Sequence, residues 1–381
     1  MTTHAETAVA DARDVPLAED EYARQTASDR PGVAQPVPQR PVPNQPWTRI
    51  TVGAVVLFAL LLGSWEAYWR SYGAMPSTRN SEGLWAMQRR RIDNGEGDAT
   101  VLIGSSRVYF DVQLPVWEKL AGKRPIQLAI EGTSPLGMLE DLAADQNFHG
   151  RLLIGVAPQV FFSGFAYRGR VLPYSRSESP AQRVGQWLSM QSVERVFAFF
   201  DPDFALATVL RRQAWPELPG RPAHMDVRKL AVTGPDRATH IWEKVENDTD
   251  YREITRSVWR KEFVPGADDP PQAKRDEKSK EQIARAAKAV ATLRARGVPV
   301  LFVRPPSSGP FLEYENRNWP RAQTWDALLA ATGAPGIHFE DYPEMQGMEL
   351  PEWSHLTRAD AERYTAALYT VIARDFWPEK K

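Results

Sequence analysis

The chain has 381 residues, enough for one large domain or two smaller ones, and a formal net charge of -1. A nearly neutral chain lacks the basic surface that attracts nucleic acid, so we expect no nucleic-acid partner. Cysteine is absent, which excludes disulfide bonds, thiolate metal sites and a cysteine nucleophile.

Residues 1–46 are predicted to be a disordered, proline-rich tail. They combine small polar and acidic residues with six prolines between Pro31 and Pro46. Such a segment has little apolar surface to offset the entropy lost on folding, so an extended tether is the expected form. The acidic start without an early basic cluster is not typical of a cleavable signal peptide, which favours a signal anchor.

The stretch 50–69 is predicted to be a transmembrane helix. Twenty helical residues span roughly 30 Å, about one hydrocarbon thickness. Aromatic residues flank both ends, as they do at membrane interfaces: Trp47 on one side, and Trp65, Tyr68 and Trp69 on the other. The alternative is a buried core helix, which Glu66 within the stretch favours.

Basic residues do not fix the orientation of this span. Two lie close on each side, Arg40 and Arg49 before it and Arg70 and Arg79 after it. The positive-inside rule therefore gives a tie, and residues 89–91, all arginine, would favour a cytoplasmic domain. We expect a single-pass protein of the inner (cytoplasmic) membrane with its C-terminal domain outside the cytoplasm.

From residue 81 onward, strand and helix signals alternate. This pattern predicts an α/β domain with a parallel sheet of about five strands and helices on both faces. The strand candidates are the apolar runs 100–103, 126–130, 152–156, 298–303 and 336–339. Helices are predicted over 136–146 and 280–296. Residues 165–275 interrupt the alternation. We predict a helical insertion there, with a helix over 193–210, that acts as a lid or partner surface.

A candidate nucleophile follows the first strand candidate. Gly104, Ser105 and Ser106 come directly after its apolar run. Open α/β sheets bind ligands at the carboxyl ends of their strands, so Ser106 would stand at a binding edge. The alternative is an ordinary turn serine at the end of a strand.

A candidate base and acid lie near the other end of the chain. A serine hydroxyl needs a base to take its proton, and histidine suits this role because its pKa lies near neutrality. Among six histidines, only His355 lies in a loop just before a final predicted helix, with Glu352 three residues earlier. An acid there would fix the imidazole tautomer. The alternative is a helix-entry histidine ahead of a capping box with Thr357 as N-cap and Asp360 at N3.

The order of these motifs resembles the SGNH (GDSL-like) hydrolase superfamily, in its membrane-anchored bacterial envelope type. Gly104-Ser105-Ser106 follows strand one, Gly132 follows strand two, and Glu352-x-x-His355 precedes the last helix. The resemblance covers about 97–378 and implies a flavodoxin-like three-layer sandwich. It also implies Ser106 as nucleophile, Gly132 as an oxyanion-hole amide, and His355 with Glu352 as base and acid.

Two departures from the family pattern bear on activity. Ser105 stands where the family has an aspartate. The third block reads Ile-Gly-Val-Ala-Pro-Gln over 154–159, without the asparagine that the family uses in its oxyanion hole. Losing one oxyanion donor typically costs on the order of 100- to 1000-fold in rate. Gln159 is the candidate substitute, and the alternative is that the backbone amides of Ser106 and Gly132 suffice as donors.

Two arginines near the same edge are candidate substrate ligands. Arg107 follows Ser106 directly, and Arg304 ends the strand candidate 298–303. A guanidinium there could hold a carboxylate or phosphate. The favoured alternative for each is pairing with a structural acid. Because no phosphate loop, zinc spacing or dinucleotide fingerprint occurs, we expect no metal and no cofactor.

The leading hypothesis is a membrane-anchored serine esterase or O-acyltransferase. The resemblance implies an acylated, for example O-acetylated, cell-envelope glycan as substrate and a membrane-bound O-acyltransferase as partner beside the lipid bilayer. The alternative is a catalytically inactive module of the same fold that binds a glycan or a membrane assembly partner. A third hypothesis is a structural anchor protein in which the tail over 1–46 carries the function.

Overall fold

The computed structural model describes residues 44–213, 227–264 and 270–377. The chain divides into two units, residues 1–62 and residues 63–381. The predicted disordered tail, apart from its last three residues, lies outside the described residues.

The first described element is the long helix α1, Trp47–Ser71. Among the described residues it is the one helix long and apolar enough to cross a membrane. Residues 50–61 are all exposed, as Phe58 and Leu60 illustrate. An apolar surface of this length is what a bilayer would cover, whereas a buried core helix would have its side chains packed. The structure is thus consistent with a single-pass membrane protein.

Seven strands occur in the described residues. They are β1 Thr100–Ile103, β2 Ile126–Gln127, β3 Arg151–Gly155, β4 Ala231–Thr233, β5 Thr239–Ile241, β6 Val300–Arg304 and β7 Gly336–His338. Five of them form one parallel sheet in the order β2-β1-β3-β6-β7. The predicted α/β class and five-stranded parallel sheet are therefore confirmed, with strand ends shifted by a few residues.

Helices alternate with these strands. In the first half they are α2 Glu82–Arg91, α3 Ser106–Asp111, α4 Leu114–Ala121, α5 Leu136–Ala144, α6 Pro158–Phe161, α7 Val171–Ser177, α8 Pro180–Gln191, α9 Val193–Val196 and α10 Leu206–Arg211. In the second half they are α11 Glu243–Asn247, α12 Thr249–Glu262, α13 Gln272–Ala295, α14 Gly309–Asn318, α15 Trp325–Thr332 and α16 Arg358–Val371. Short 3₁₀ or π turns lie at Ile92–Glu96, Ala198–Phe200, Arg321–Gln323, Phe339–Asp341, Pro343–Met345 and Ile372–Phe376.

The sheet separates two apolar cores, because successive side chains of a strand point to opposite faces. In β1, Val101 and Ile103 belong to one core, which α5, α13 and α15 cover. Leu102 belongs to the other, which α3, α4 and α16 cover. Burial on both faces explains why these strands are continuous apolar runs in the sequence.

The insertion over 165–275 differs in part from the helical prediction. It contains α7 to α12, but also β4 and β5, which pair antiparallel. The helix expected over 193–210 is broken into α9, a 3₁₀ turn and α10. Pro202 lies at this break, and the Asp201 side chain accepts a hydrogen bond from the Asp203 amide at 3.0 Å. A proline lacks the amide hydrogen that a continuing helix requires, which accounts for the interruption.

Candidate active site

The turn from β1 into α3 places Ser106 at the carboxyl edge of the sheet. A Cβ on Gly104 would lie 2.7 Å from Cγ2 of Val108, and a Cβ on Gly155 would lie 2.0 Å from the same atom. Glycine at both positions therefore lets α3 pack directly on the ends of β1 and β3. Ser106 is the first residue of α3 and is partly exposed.

Glu352 and His355 form a buried acid–imidazole pair. Oε1 of Glu352 lies 2.8 Å from Nδ1 of His355 and accepts the His355 backbone amide at 2.6 Å. The exposed fractions of the two residues are 0% and 2%. A carboxylate at Nδ1 holds the proton there and leaves Nε2 as the basic nitrogen. Nε2 is buried and has no hydrogen-bond partner in the described parts of the chain.

The second carboxylate oxygen of Glu352 is held by the insertion. Nε1 of Trp259, on α12, donates to Oε2 of Glu352 at 2.6 Å. Burial raises the pKa of Glu352, but the charge of His355 and the hydrogen bonds from His355 and Trp259 outweigh it and keep that pKa below its ordinary value. Nothing in the local sequence distinguishes Trp259 from the other twelve tryptophans, so its contact with Glu352 could not be predicted from the sequence.

One side of α3 contacts the loop that carries His355. The ring of Phe110 lies 4.5 Å from the His355 ring, and Nε of Arg107 donates to Oγ of Ser354 at 3.3 Å. Residues four apart share a helix face, so Ser106 lies on the same face as Phe110. The helix that begins at Ser106 thus packs against the loop that carries His355, and no hydrogen bond joins Ser106 to His355 within the described ranges.

Asp111, at the end of α3, is a second carboxyl group close to His355. Its Oδ1 accepts the backbone amide of Leu356 at 3.0 Å, which ties α3 to the residue after His355. Oδ2 has no hydrogen-bond partner in the described structure. Burial raises the pKa of Asp111 to about 7, against the lowering influence of His355 and the Leu356 amide. Asp111 is not among the site residues predicted from the sequence.

Arg107 and Arg304 are both buried and both pair with Glu315. Nη2 of Arg107 lies 2.9 Å from Oε1 of Glu315, and Nη2 of Arg304 donates to Oε2 at 2.7 Å. Burial lowers the pKa of Arg304 to about 10, while the neighbouring Glu315 raises it. Pairing with a structural acid, the favoured alternative, is what the structure contains. Contact of either arginine with a substrate stays a prediction.

Gly132 and Gln159 lie near the same edge of the sheet. The backbone of Ile130 still pairs with Gly104 (N to O, 2.9 Å), so the turn that contains Gly132 follows directly beside the Ser105–Ser106 turn. Gly132 has a φ of +57°, which favours glycine. Gln159 is in α6, after β3, and its Oε1 is buried without a hydrogen-bond partner in the described residues. Rotation of the amide would place the NH₂ donor at that position.

No family model matches this chain, and no curated protein matches it significantly. Within the described ranges, no three or more His, Cys, Asp or Glu side chains form a group that could hold a metal ion. The functional interpretation therefore depends on the geometry around His355 and Ser106.

Proposed function

We propose that the chain is a membrane-anchored serine esterase or O-acyltransferase, with Ser106 as nucleophile, His355 as base and Glu352 as the acid that orients it. The observation that carries this proposal is the buried His355–Glu352 pair. Its Nε2 has no hydrogen-bond partner among the described residues, and the His355 ring packs against Phe110 in the helix that begins at Ser106. A buried imidazole with a carboxylate on one nitrogen and nothing on the other is suited to accept a hydroxyl proton.

In the proposed reaction, Oγ of Ser106 attacks the acyl carbonyl carbon while Nε2 of His355 takes the hydroxyl proton. The tetrahedral intermediate collapses, the ester C–O bond breaks, and Nε2 returns the proton to the leaving alcohol. The acyl group then resides on Ser106. Water or a sugar hydroxyl attacks this acyl-enzyme, with Nε2 again as base, and restores the serine. Only the second nucleophile distinguishes hydrolysis from transfer.

The developing oxyanion needs hydrogen-bond donors. We assign this role to the backbone amide of Gly132 and to the side-chain amide of Gln159. The turn containing Gly132 adjoins the Ser106 turn, and the buried end of the Gln159 amide has no other partner in the described chain. Gln159 would thereby replace the asparagine of the third family block.

The strand order supports the flavodoxin-like part of the proposal. Numbered within the main sheet alone, β2-β1-β3-β6-β7 is the order 2-1-3-4-5, which is that of flavodoxin-like folds. The envelope glycan substrate, the membrane-bound O-acyltransferase partner and the location outside the cytoplasm follow from the resemblance to SGNH hydrolases and are part of the proposal.

Ester hydrolysis by the purified full chain in detergent tests the proposal. We expect turnover of 4-nitrophenyl acetate that Ser106→Ala abolishes. Ser105→Ala is the matched control, because Ser105 makes no capping hydrogen bond through its side chain, and it should retain activity. A folded wild-type chain without turnover, or Ser106→Ala with full turnover, would contradict the esterase.

Two observations favour the second candidate, a catalytically inactive module that binds a glycan or a membrane assembly partner. The segment 154–159 lacks the family's oxyanion asparagine, and Ser106 does not hydrogen-bond to His355 in the described structure. This candidate predicts no turnover by a folded chain, together with glycan binding that Ser106→Ala leaves unchanged.

A further inference from the structure

Part of the insertion exposes large apolar side chains on short helices. We call residues 180–211, from α8 to α10, the collar. On α8, Val184, Trp187 and Leu188 are 56%, 54% and 51% exposed. Their spacing of three and four residues places them on one helix face. The opposite face packs inward, since Met190 is buried and Oε1 of Gln186 accepts a hydrogen bond from Ser81.

The apolar exposure continues along the collar. Val196 on α9 and Leu206 on α10 are also more than half exposed. A soluble surface does not ordinarily repeat such side chains on successive elements, and repeated exposure marks an interaction surface.

The collar is fastened to the last turns of α1. The Glu66 carboxylate accepts the backbone amides of Ala198 at 2.9 Å and Phe199 at 3.1 Å. Nη2 of Arg70 donates to the carbonyl oxygen of Val196 at 2.8 Å. The ring of Trp69 stacks on Phe204, with the centroids 4.6 Å apart. Glu66, which argued against a transmembrane helix in the sequence, is therefore a docking residue for the collar.

Connectivity fixes where this docking occurs along the chain. The uninterrupted apolar run ends at Leu62, and Glu66 is four residues later, roughly 6 Å along a helix. Whatever is bound to Glu66 and Arg70 is therefore at the level where the chain leaves the apolar segment. At that level Trp65, Tyr68 and Trp69 form the aromatic belt expected of a membrane interface.

The charges of the collar fit anionic lipid headgroups. Its three carboxylates are used within the protein: Glu194 accepts the Arg79 amide, Asp201 pairs with Lys229, and Asp203 pairs with Arg212. Arg195, by contrast, is exposed. An exposed arginine beside apolar side chains is typical of surfaces that bind an anionic bilayer.

We propose that the collar is a second membrane-contact surface, which lies in the headgroup region of the same bilayer that α1 crosses. Val184, Trp187, Leu188, Val196 and Leu206 enter the interface, and the exposed Arg195 contacts anionic lipid. Continuity with the membrane anchor, through Glu66, Arg70 and Trp69, is the reason to assign lipid rather than a second protein. The collar would hold the α/β domain close to the membrane.

The absence of cysteine makes single-site labelling of the full chain straightforward. Leu188→Cys and Leu206→Cys probe the collar after reaction with an environment-sensitive fluorophore. The protein is reconstituted into vesicles of phosphatidylcholine and phosphatidylglycerol. Leu120→Cys on α4, an exposed leucine at 44% outside the collar, is the matched control. Leu60→Cys reports on the anchor itself.

We expect labels at positions 188 and 206 to show blue-shifted emission, quenching by nitroxide lipids and loss of quenching by aqueous iodide. The label at position 120 should show the reverse. Iodide quenching at 188 and 206 equal to that at 120 would overturn the proposal. Protection from iodide without quenching by nitroxide lipids would also overturn it, in favour of a protein contact. If nitroxide lipids quench the label at position 60 but not those at 188 and 206, the anchor is inserted and the collar proposal fails. If they do not quench the label at position 60, the anchor itself has failed to insert.

Discussion

The indole nitrogen of Trp259 donates a 2.6 Å hydrogen bond to Oε2 of Glu352, the carboxylate whose other oxygen holds His355. Trp259 belongs to the insertion and Glu352 to the α/β domain. The insertion therefore supplies part of the environment that orients the proposed base, in addition to any role in controlling access to the site.

Trp259→Phe tests this positioning role. It leaves Oε2 of Glu352 buried without a donor, and a lost hydrogen bond to a charged group costs about 1.5–3 kcal/mol. We expect kcat for 4-nitrophenyl acetate to fall about 10- to 100-fold with little change in KM. Trp187→Phe, an exposed tryptophan of the insertion, should retain wild-type kcat. Equal kcat values for Trp259→Phe and wild type would show that the hydrogen bond has no catalytic role.

Asp111 should make stability depend on pH. Because burial raises its pKa to about 7, the folded chain keeps between about pH 4 and pH 7 a proton that the unfolded chain has lost. Stability attributable to this group therefore falls as the pH rises through that window, by up to about 4 kcal/mol.

Asp111→Asn cannot ionise and should lose this slope. The measurement is the unfolding midpoint of the detergent-solubilised full chain between pH 4 and pH 8. Asp326→Asn, which removes an exposed helical carboxylate, should follow the wild-type curve. Parallel curves for wild type and Asp111→Asn would contradict the assignment.

The Glu315 carboxylate pairs with two buried guanidinium groups, those of Arg107 and Arg304. Glu315→Gln leaves Arg107 and Arg304 buried without their anion, so we expect a loss of about 3–5 kcal/mol in unfolding free energy. Glu140→Gln breaks an exposed pair with Arg285 and should cost less than about 1 kcal/mol. Denaturant unfolding of both variants measures the difference. Similar losses would mean that the buried pairs do not stabilise the fold more than a surface pair.

Much of the sheet could be predicted from the sequence because its strands are buried on both faces and read as short apolar runs. β1 is found at the predicted residues, and β3, β6 and β7 within two residues of them. β4 and β5 are three residues each and partly polar, so periodicity gave no signal for them. Their position depends on packing against α3, where Tyr109 contacts Thr233 through their hydroxyls at 3.2 Å.

The contacts of the candidate site could likewise be predicted only in part. Glu352 and His355 are three residues apart, and the contact between them could be predicted because it is local. The contacts of Glu352 with Trp259 and of Arg107 with Glu315 join residues 93 and 208 positions apart. Partners at such separations are set by tertiary packing, which one sequence does not reveal.

The orientation of the anchor is a separate prediction, since the flanking arginines are balanced. Alkaline phosphatase fused after Lys381 should be active in intact cells, because that enzyme requires an environment outside the cytoplasm. Green fluorescent protein reports on the cytoplasm, because it does not fluoresce after export through the Sec route. Fused at the same position, it should therefore be dark. The opposite pair of results would place the α/β domain in the cytoplasm and remove the envelope glycan as substrate.

A nucleophilic Ser106 activated by His355 should react with a fluorophosphonate. Treatment of the purified full chain with this reagent, followed by peptide mapping, identifies the residue that reacts. We expect one phosphonylated residue, Ser106, with labelling lost in Ser106→Ala and strongly slowed in His355→Ala. A folded wild-type chain that stays unlabelled, or an adduct on a different residue, would contradict it.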